Sequence, residues 1–287
     1  MKLAEAIEEQ VRALDEGRAF VPGFRVRTVE VTGADAAGWL NDLVTAGVED
    51  IPEGRSVRSL LLTPTGRVRA DFHVLRIRTG FLLAQGPDRP EAIDDLLGPY
   101  VLSSDVALRE VDLMLVSVPE GEDTGADGPL FRPSILGSGT DLVLRPAEVA
   151  SSVAALLRNG LVEAGPEAIE TWRIRGGIPR FPVDFGRDSL PAEAGLEPLI
   201  DFTKGCFLGQ EAVAKVRNLG HPPRVVVALQ ADRQVERGER VVAGVREAGE
   251  ITSAAPDREG SAVIARVRWD ATGSSLSTAG GAALSLR

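Results

Sequence analysis

Residues 56–78, "SVRSLLLTPTGRVRADFHVLRIR", decide the fold class. Two β-prone runs, 56–63 and 66–78, flank a turn opened by Pro64, and the pattern reads as two strands joined through it. In the second run Arg67, Arg69, Asp71 and His73 share one face, with Val68, Ala70, Phe72 and Val74 on the other. The phase then slips, because Leu75 and Ile77 are apolar while Arg76 and Arg78 are polar. A bulge would produce that slip, and so would a strand that passes from one environment into another.

Working outward, "FRVRTVEV" (24–31) alternates as a strand, and "GADAAGWLNDLVTAG" (33–47) follows as a helix with Asp35 as N-cap and Gly47 beyond its end. On the other side, "RPEAIDDLLG" (89–98) reads as a helix and "VALREVDLMLVSV" (106–118) as a strand. The order strand–helix–strand–strand–helix–strand is that of a ferredoxin-like α+β unit. A second, more worn round carries a strand at "TDLVLR" (140–145), a helix at "PAEVASSVAALLRNG" (146–160) and a short helix or turn at "PEAIETWRI" (166–174). Between the rounds lies "GEDTGADGP" (121–129), an acidic, Gly-rich stretch without an apolar anchor that reads as a mobile loop. After "HPPR" (221–224) short strands recur at close spacing, which points to a small antiparallel β-barrel or sandwich. The expected division is a first α+β unit over 1–118, a second over 119–221 with which it can interleave, and a barrel over 222–287. An acidic amphipathic helix over 1–17 precedes them, with Leu3, Ile7, Val11 and Leu14 on one face.

Composition narrows the function classes. A net charge of −10 argues against a broad nucleic-acid-binding face, so no direct nucleic-acid partner is expected. No apolar stretch approaches the roughly 20 residues that cross a bilayer, and the N-terminus lacks a signal-peptide core. The reading is a cytoplasmic protein without a membrane partner. One cysteine and two histidines, His73 and His221, leave little from which to build a metal centre, and no metal of its own is expected. Phosphate-loop, dinucleotide-loop, HExxH and GxSxG motifs are all missing. Trp39, Trp172 and Trp269 are scattered and read as core or pocket-wall residues.

Two stretches can carry chemistry. On the 67–74 strand, Asp71 is either a partner for neighbouring arginines or a pocket carboxylate that accepts N–H bonds from a heterocyclic ligand. His73 reads as a structural hydrogen-bonding residue. The second stretch is "KGCFLGQE" (204–211), a turn that feeds the helix "EAVAKVRNLG" (211–220). A thiolate near a helix N-terminus and beside Lys204 would be activated, whereas a buried Cys206 would be inert. Both readings stand on these residues alone.

The same octapeptide resembles the K-G-C-[FY]-x-G-Q-E signature of the YgfZ family, which groups with the aminomethyltransferase (T-protein) of the glycine cleavage system. "LNDLVTAGV", "LLLTPTGRVRADFHVLR" and "LPAEAGLEPLIDFTKGCFLGQEAVAKVRNLGHPPR" resemble further segments of that family, so the likeness runs from about residue 24 to about residue 230. It implies two α+β units and a barrel arranged in a ring around a pocket for tetrahydrofolate or a one-carbon derivative. It also implies a function in supporting iron–sulfur cluster assembly or repair, and through it the iron–sulfur enzymes of tRNA modification. Partners would then be folate and iron–sulfur proteins or assembly factors. Carried over residue by residue, Cys206 is the functional thiol tuned by Lys204. Asp71, Asn41, Arg175 and Gln210 are placed at the cofactor, with Gly205, Gly209 and Glu211 supporting the motif. Two alternatives accompany this reading: a folate-dependent aminomethyl- or methyltransferase acting on a small molecule, and a non-catalytic scaffold with a vestigial pocket. The departures matter too. "RIRGG" (173–177) puts Arg175 where the transferases carry a pterin-binding glutamate, and a guanidinium cannot accept an N–H bond. The transferases have F-I-G-R-E-A in place of "FLGQEA", with no cysteine expected at the position of Cys206.

Overall fold

The computed structural model describes residues 2–121 and 129–287, so most of the acidic 121–129 stretch lies outside the described residues. The chain divides into two compact units. The first holds Met1–Leu62, Ala70–Ile169 and Leu199–Leu208; the second holds Thr63–Arg69, Glu170–Pro198 and Gly209–Arg287.

The first unit begins with α1 (Lys2–Asp15), β1 (Ala19–Arg25), β2 (Arg27–Thr32) and α2 (Ala36–Leu43). Then come β3 (Ser56–Leu62), β4 (Val68–Ile77) from Ala70 onward, β5 (Gly80–Gln85), α3 (Ile93–Leu97), β6 (Ala107–Val111) and β7 (Met114–Val118). It closes with β8 (Leu130–Phe131), β9 (Thr140–Leu144), α4 (Val149–Arg158) and β10 (Val162–Glu163). These strands form two five-stranded sheets, ordered β3-β4-β5-β2-β6 and β10-β1-β7-β9-β8.

Two stretches that read as single strands are each broken between the sheets. "FRVRTVEV" divides at Val26, with β1 in one sheet and β2 in the other. Its apolar residues record the break: Phe24 and Val26 pack with Leu115 and Phe131, whereas Val29 and Val31 join Leu40, Leu83 and Leu97. "VALREVDLMLVSV" divides the same way at Asp112 and Leu113. The sheet holding β4 is buried on both faces. Ala70, Phe72 and Val74 meet the cluster under α2 and α3, while Leu75 and Ile77 meet Phe131 and Val143 of the other sheet. That two-sided burial accounts for the slip at Leu75. β4 pairs with β5 in unbroken register from Phe72 to Ile77, so no bulge interrupts that side of the strand. β5 itself escapes the sequence pattern because all six of its residues are buried, leaving no alternation to detect.

The second unit takes α5 (Pro166–Arg175) from Glu170 onward, then α6 (Gln210–Leu219) and the strands β11 (Arg224–Ala231), β12 (Arg240–Ala243) and β13 (Arg246–Asp257). It ends with β14 (Gly260–Arg268), β15 (Leu276–Thr278) and β16 (Ala283–Leu286). The six strands close as an antiparallel barrel, ordered β11-β14-β13-β12-β15-β16, around Leu229, Val241, Ile251, Val263 and Val267. The α+β class, the two ferredoxin-like sheets and the C-terminal barrel are as expected.

A carboxylate hub fixes α5 to this barrel. Asp184, fully buried, accepts from Arg173 Nη1 (2.6 Å), Thr252 Oγ1 (2.6 Å), Ser253 Oγ (2.7 Å) and the Arg180 amide (2.9 Å). Thr252 is the extra residue of a bulge in β13, where pairing jumps from Ile251 to Ser253 opposite consecutive residues of β14. Of the tryptophans, Trp172 is buried and Trp39 donates to the Tyr100 carbonyl at 2.8 Å. Trp269 departs from a core role: it is 42% exposed and stacks on His221 with ring centroids 5.0 Å apart.

Candidate functional site

Asp71 stands on β4, and its carboxylate is met by Arg58 of β3. The guanidinium approaches as a fork, with Nε 2.9 Å from Oδ1 and Nη2 2.5 Å from Oδ2. The two side chains are 28% and 10% exposed, so the pair lies at the margin of the core rather than inside it. Of the two readings of Asp71, ion pairing is the one realised here, and the partner is Arg58 of the facing strand. Arg58 was missed in the sequence. Its one signal was an arginine on the other arm of the strand–turn–strand segment that carries Asp71.

Two residues along β4, His73 is 2% exposed, and both ring nitrogens lack a hydrogen-bond partner. Its ring meets Phe131 edge-on at 6.0 Å. Burial, helped by the positive charge of Arg58 and opposed by Asp71, pushes its pKa down to about 3 and keeps the imidazole neutral. The expectation of a structural hydrogen-bonding histidine is therefore corrected: His73 is an apolar-packed ring.

The "KGCFLGQE" turn belongs to both units. Asp201 shapes its entry, with Oδ1 accepting from the Thr203 amide (2.8 Å), the Thr203 hydroxyl (2.6 Å) and the Lys204 amide (3.3 Å). The Asp201 amide in turn donates to the Thr45 carbonyl at 2.9 Å. This turn aims Lys204 at the end of α2. The ammonium donates to the carbonyls of Asn41, Val44 (2.6 Å) and Ala46 (2.9 Å). A helix end leaves such carbonyls without intrahelical partners and carries negative potential, so a cation completes it. Burial pushes the Lys204 pKa down to about 8, against the pull of Asp201 and Asp42. Asn41 is buried in the same knot, where its Oδ1 accepts from the Val48 amide at 3.1 Å. Lys204 and Asn41, assigned to separate tasks from sequence, are thus brought together as parts of one structural lock. The three donors of the ammonium go to Asn41 of α2 and to Val44 and Ala46 just beyond it, which leaves no geometric support for Lys204 as the tuner of Cys206.

Cys206 is exposed, which removes the buried, inert alternative. Gly209 has φ +83° and caps α6, a backbone conformation that favours glycine. At Gly205 an added Cβ would meet nothing within 4 Å, so that glycine is not demanded by space. Gln210 is the first residue of α6 and Glu211 lies exposed in its first turn.

Arg175, at the end of α5, donates from Nε (3.1 Å) and Nη2 (2.6 Å) to the Pro256 carbonyl and lies 3.7 Å from Asp257. It is held within the second unit by the β13–β14 hairpin and offers no acceptor to a pterin. Apart from Gly205 and Cys206 of the exposed turn, the candidate residues therefore fall into three groups. Asp71 is with Arg58, Asn41 and Lys204 share the α2 lock, and Arg175, Gly209, Gln210 and Glu211 are in the other unit. Within the first unit β3 links the first two groups: next to Arg58, the Ser59 hydroxyl accepts from the Ala46 amide at 3.0 Å.

No protein-family model matches the chain. A crystal structure of the glycine cleavage system aminomethyltransferase T from Bartonella henselae superimposes with a TM-score of 0.80, covering 96% of this chain and 88% of that one at 19% identity. The fold is that of an aminomethyltransferase. Sequence relatives agree with it. An aminomethyltransferase of Streptomyces avermitilis is 27% identical over 290 residues, spanning 88% of this chain and 78% of its own length. A putative chloroplastic transferase of Arabidopsis thaliana is 24% identical over 286 residues, spanning 88% of this chain and 66% of its own length. Among the described residues no helix is long and apolar enough to cross a membrane.

Proposed function

We propose that this protein binds a reduced folate and acts as an aminomethyltransferase-like protein, with Asp71 as the residue that reads the pterin. The observation that carries this reading is a partly exposed carboxylate presenting both oxygens to a planar pair of N–H donors, in an aminomethyltransferase fold. Asp71 fits the group; Arg175 does not, since a cation committed to the Pro256 carbonyl cannot replace a second carboxylate. Recognition therefore rests more heavily on Asp71 than where two carboxylates share the task. A reduced folate, when bound, carries a one-carbon unit, and the chain supplies binding and orientation.

Calorimetry with tetrahydrofolate under anaerobic conditions tests this. Saturable binding at micromolar concentration is expected, weakened about tenfold or more in Asp71→Asn, which loses a charge-assisted acceptor. Absence of saturable binding would leave the vestigial scaffold. The small-molecule transferase reading further requires that incubation with candidate donors yields methyl- or methylene-folate.

A second reading, support of iron–sulfur cluster assembly, is favoured by the exposed thiol of Cys206 in its resembling signature. Lys204 enters it by holding the base of the turn. The reading expects Cys206→Ser to fail in restoring cluster-dependent enzymes, those of tRNA modification included, to a deletion strain. Restoration equal to wild type sinks the thiol's part in it.

A further inference from the structure

The fork that Arg58 lays on Asp71 has a chemical double. Its Nε–H and Nη2–H are parallel donors on a planar, delocalised N–C–N group, at 2.9 and 2.5 Å from the two oxygens. A 2-amino-4-oxopteridine offers the same pattern along one edge: the ring N3–H beside an exocyclic 2-amino N–H. Both groups are addressed to the same lone pairs of one carboxylate, and they cannot hold them together.

We infer that Arg58 is an internal occupant of the pterin-reading carboxylate, so that a folate gains Asp71 only by displacing the Arg58 guanidinium. The inference rests on the folate reading above. Three observations support the exchange. Among the described residues Arg58 has no hydrogen-bond partner besides Asp71, so releasing it breaks no other hydrogen bond. Arg58 keeps 28% of its side chain exposed, which gives the freed guanidinium a way to water. Two residues along β4, both ring nitrogens of His73 lack a partner and its ring packs edge-on against Phe131, so His73 holds no part of the Asp71 carboxylate. With Arg58 gone, Asp71 would be left without a donor unless a ligand supplies one. Arg58 thereby sets affinity: the open state is a minority of the free protein, and apparent binding weakens by that fraction.

The experiment compares wild type with Arg58→Met, which keeps the apolar stem, and Arg58→Lys, which keeps the charge but not the planar fork. Tetrahydrofolate and free pterin are titrated into each by calorimetry. Thermal melts with and without low-millimolar methylguanidinium run alongside. Arg58→Met should bind both pterin compounds roughly tenfold tighter than wild type, with Arg58→Lys in between. Methylguanidinium should raise the melting temperature of Arg58→Met and leave that of Arg58→Met/Asp71→Asn unchanged, which also shows that the variant is folded. Equal or weaker pterin binding by folded Arg58→Met overturns the inference while leaving the folate reading intact. If neither wild type nor Arg58→Met takes up tetrahydrofolate or pterin, the folate reading itself falls and this inference with it.

Discussion

Each unit holds an arginine–aspartate pair, and the two could hardly be more differently supported. Asp184 is fully buried and takes donors from Arg173, Thr252, Ser253 and the Arg180 amide. Asp71 takes donors from Arg58 and lies where water reaches part of the pair. A saturated carboxylate in a closed core specifies structure, because every lone pair is spoken for and removing one partner strands a charge. A carboxylate with one displaceable partner is, on the folate reading proposed above, a receptor at rest. Sequence alone does not separate them, since both are aspartates a short distance from arginines.

Arg173→Met should cost about 3–5 kcal/mol in chemical denaturation, the range for removing one partner of a buried ion pair. A loss below about 1 kcal/mol would show that the hub is not the structural member of the two. Lys204→Met leaves the carbonyls of Asn41, Val44 and Ala46 without their donor and should lower stability by about 2–3 kcal/mol. If Lys204 instead served only the thiol, the melting curve would stay put while Cys206 alkylation slowed.

The third effect belongs to His73. Its folded pKa is near 3, below the ordinary value of 6.5, so between these values the unfolded chain binds the proton and the folded one does not. Stability from this group is full above about pH 6.5 and falls as pH drops towards 3, by about 2 kcal/mol at pH 5. His73→Met should remove that share of the acid sensitivity, read as a smaller difference between unfolding free energies at pH 7 and pH 5. An unchanged difference would mean that the ring finds a donor or acceptor in solution. The smallest effect is expected for Asp71→Asn, about 1–2 kcal/mol in stability, since its pair keeps some contact with water whereas the hub carboxylate has none. A loss as large as that of Arg173→Met would erase the distinction between hub and receptor.

Much of the fold is legible in the sequence, and for physical reasons. The β4 face of Val68, Ala70, Phe72 and Val74, the glycine end of α6 at Gly220 and the run of short barrel strands all follow from periodicity and turn chemistry. β5 shows no alternation because two-sided burial erases it, and β1–β2 and β6–β7 each read as one strand because the chain stays extended while changing sheets. The site was legible in residues but not in partners. Asp71 stands out on its strand, yet its companion is on another strand. Lys204 stands out beside Cys206, yet its ammonium reaches back 163 positions to Asn41. A side chain's neighbours in space are set by register and turn geometry, which local pattern does not encode.

The crossing at Val26 has a consequence for how the molecule is made. β1 lies between β7 and β10 in its sheet, so its pairing groups wait for Met114–Val118 and then for Val162–Glu163. At about 5–20 residues per second, the stretch from β1 to β10 takes on the order of ten seconds to leave a ribosome. Until Met114–Val118 emerges, an apolar strand carrying Phe20, Val21 and Phe24 has no strand to pair with, and one edge stays open until β10 follows. Anything that lengthens the delay, from slow codons to an insertion ahead of β10, extends the period in which the nascent chain depends on a chaperone rather than on its own sheet.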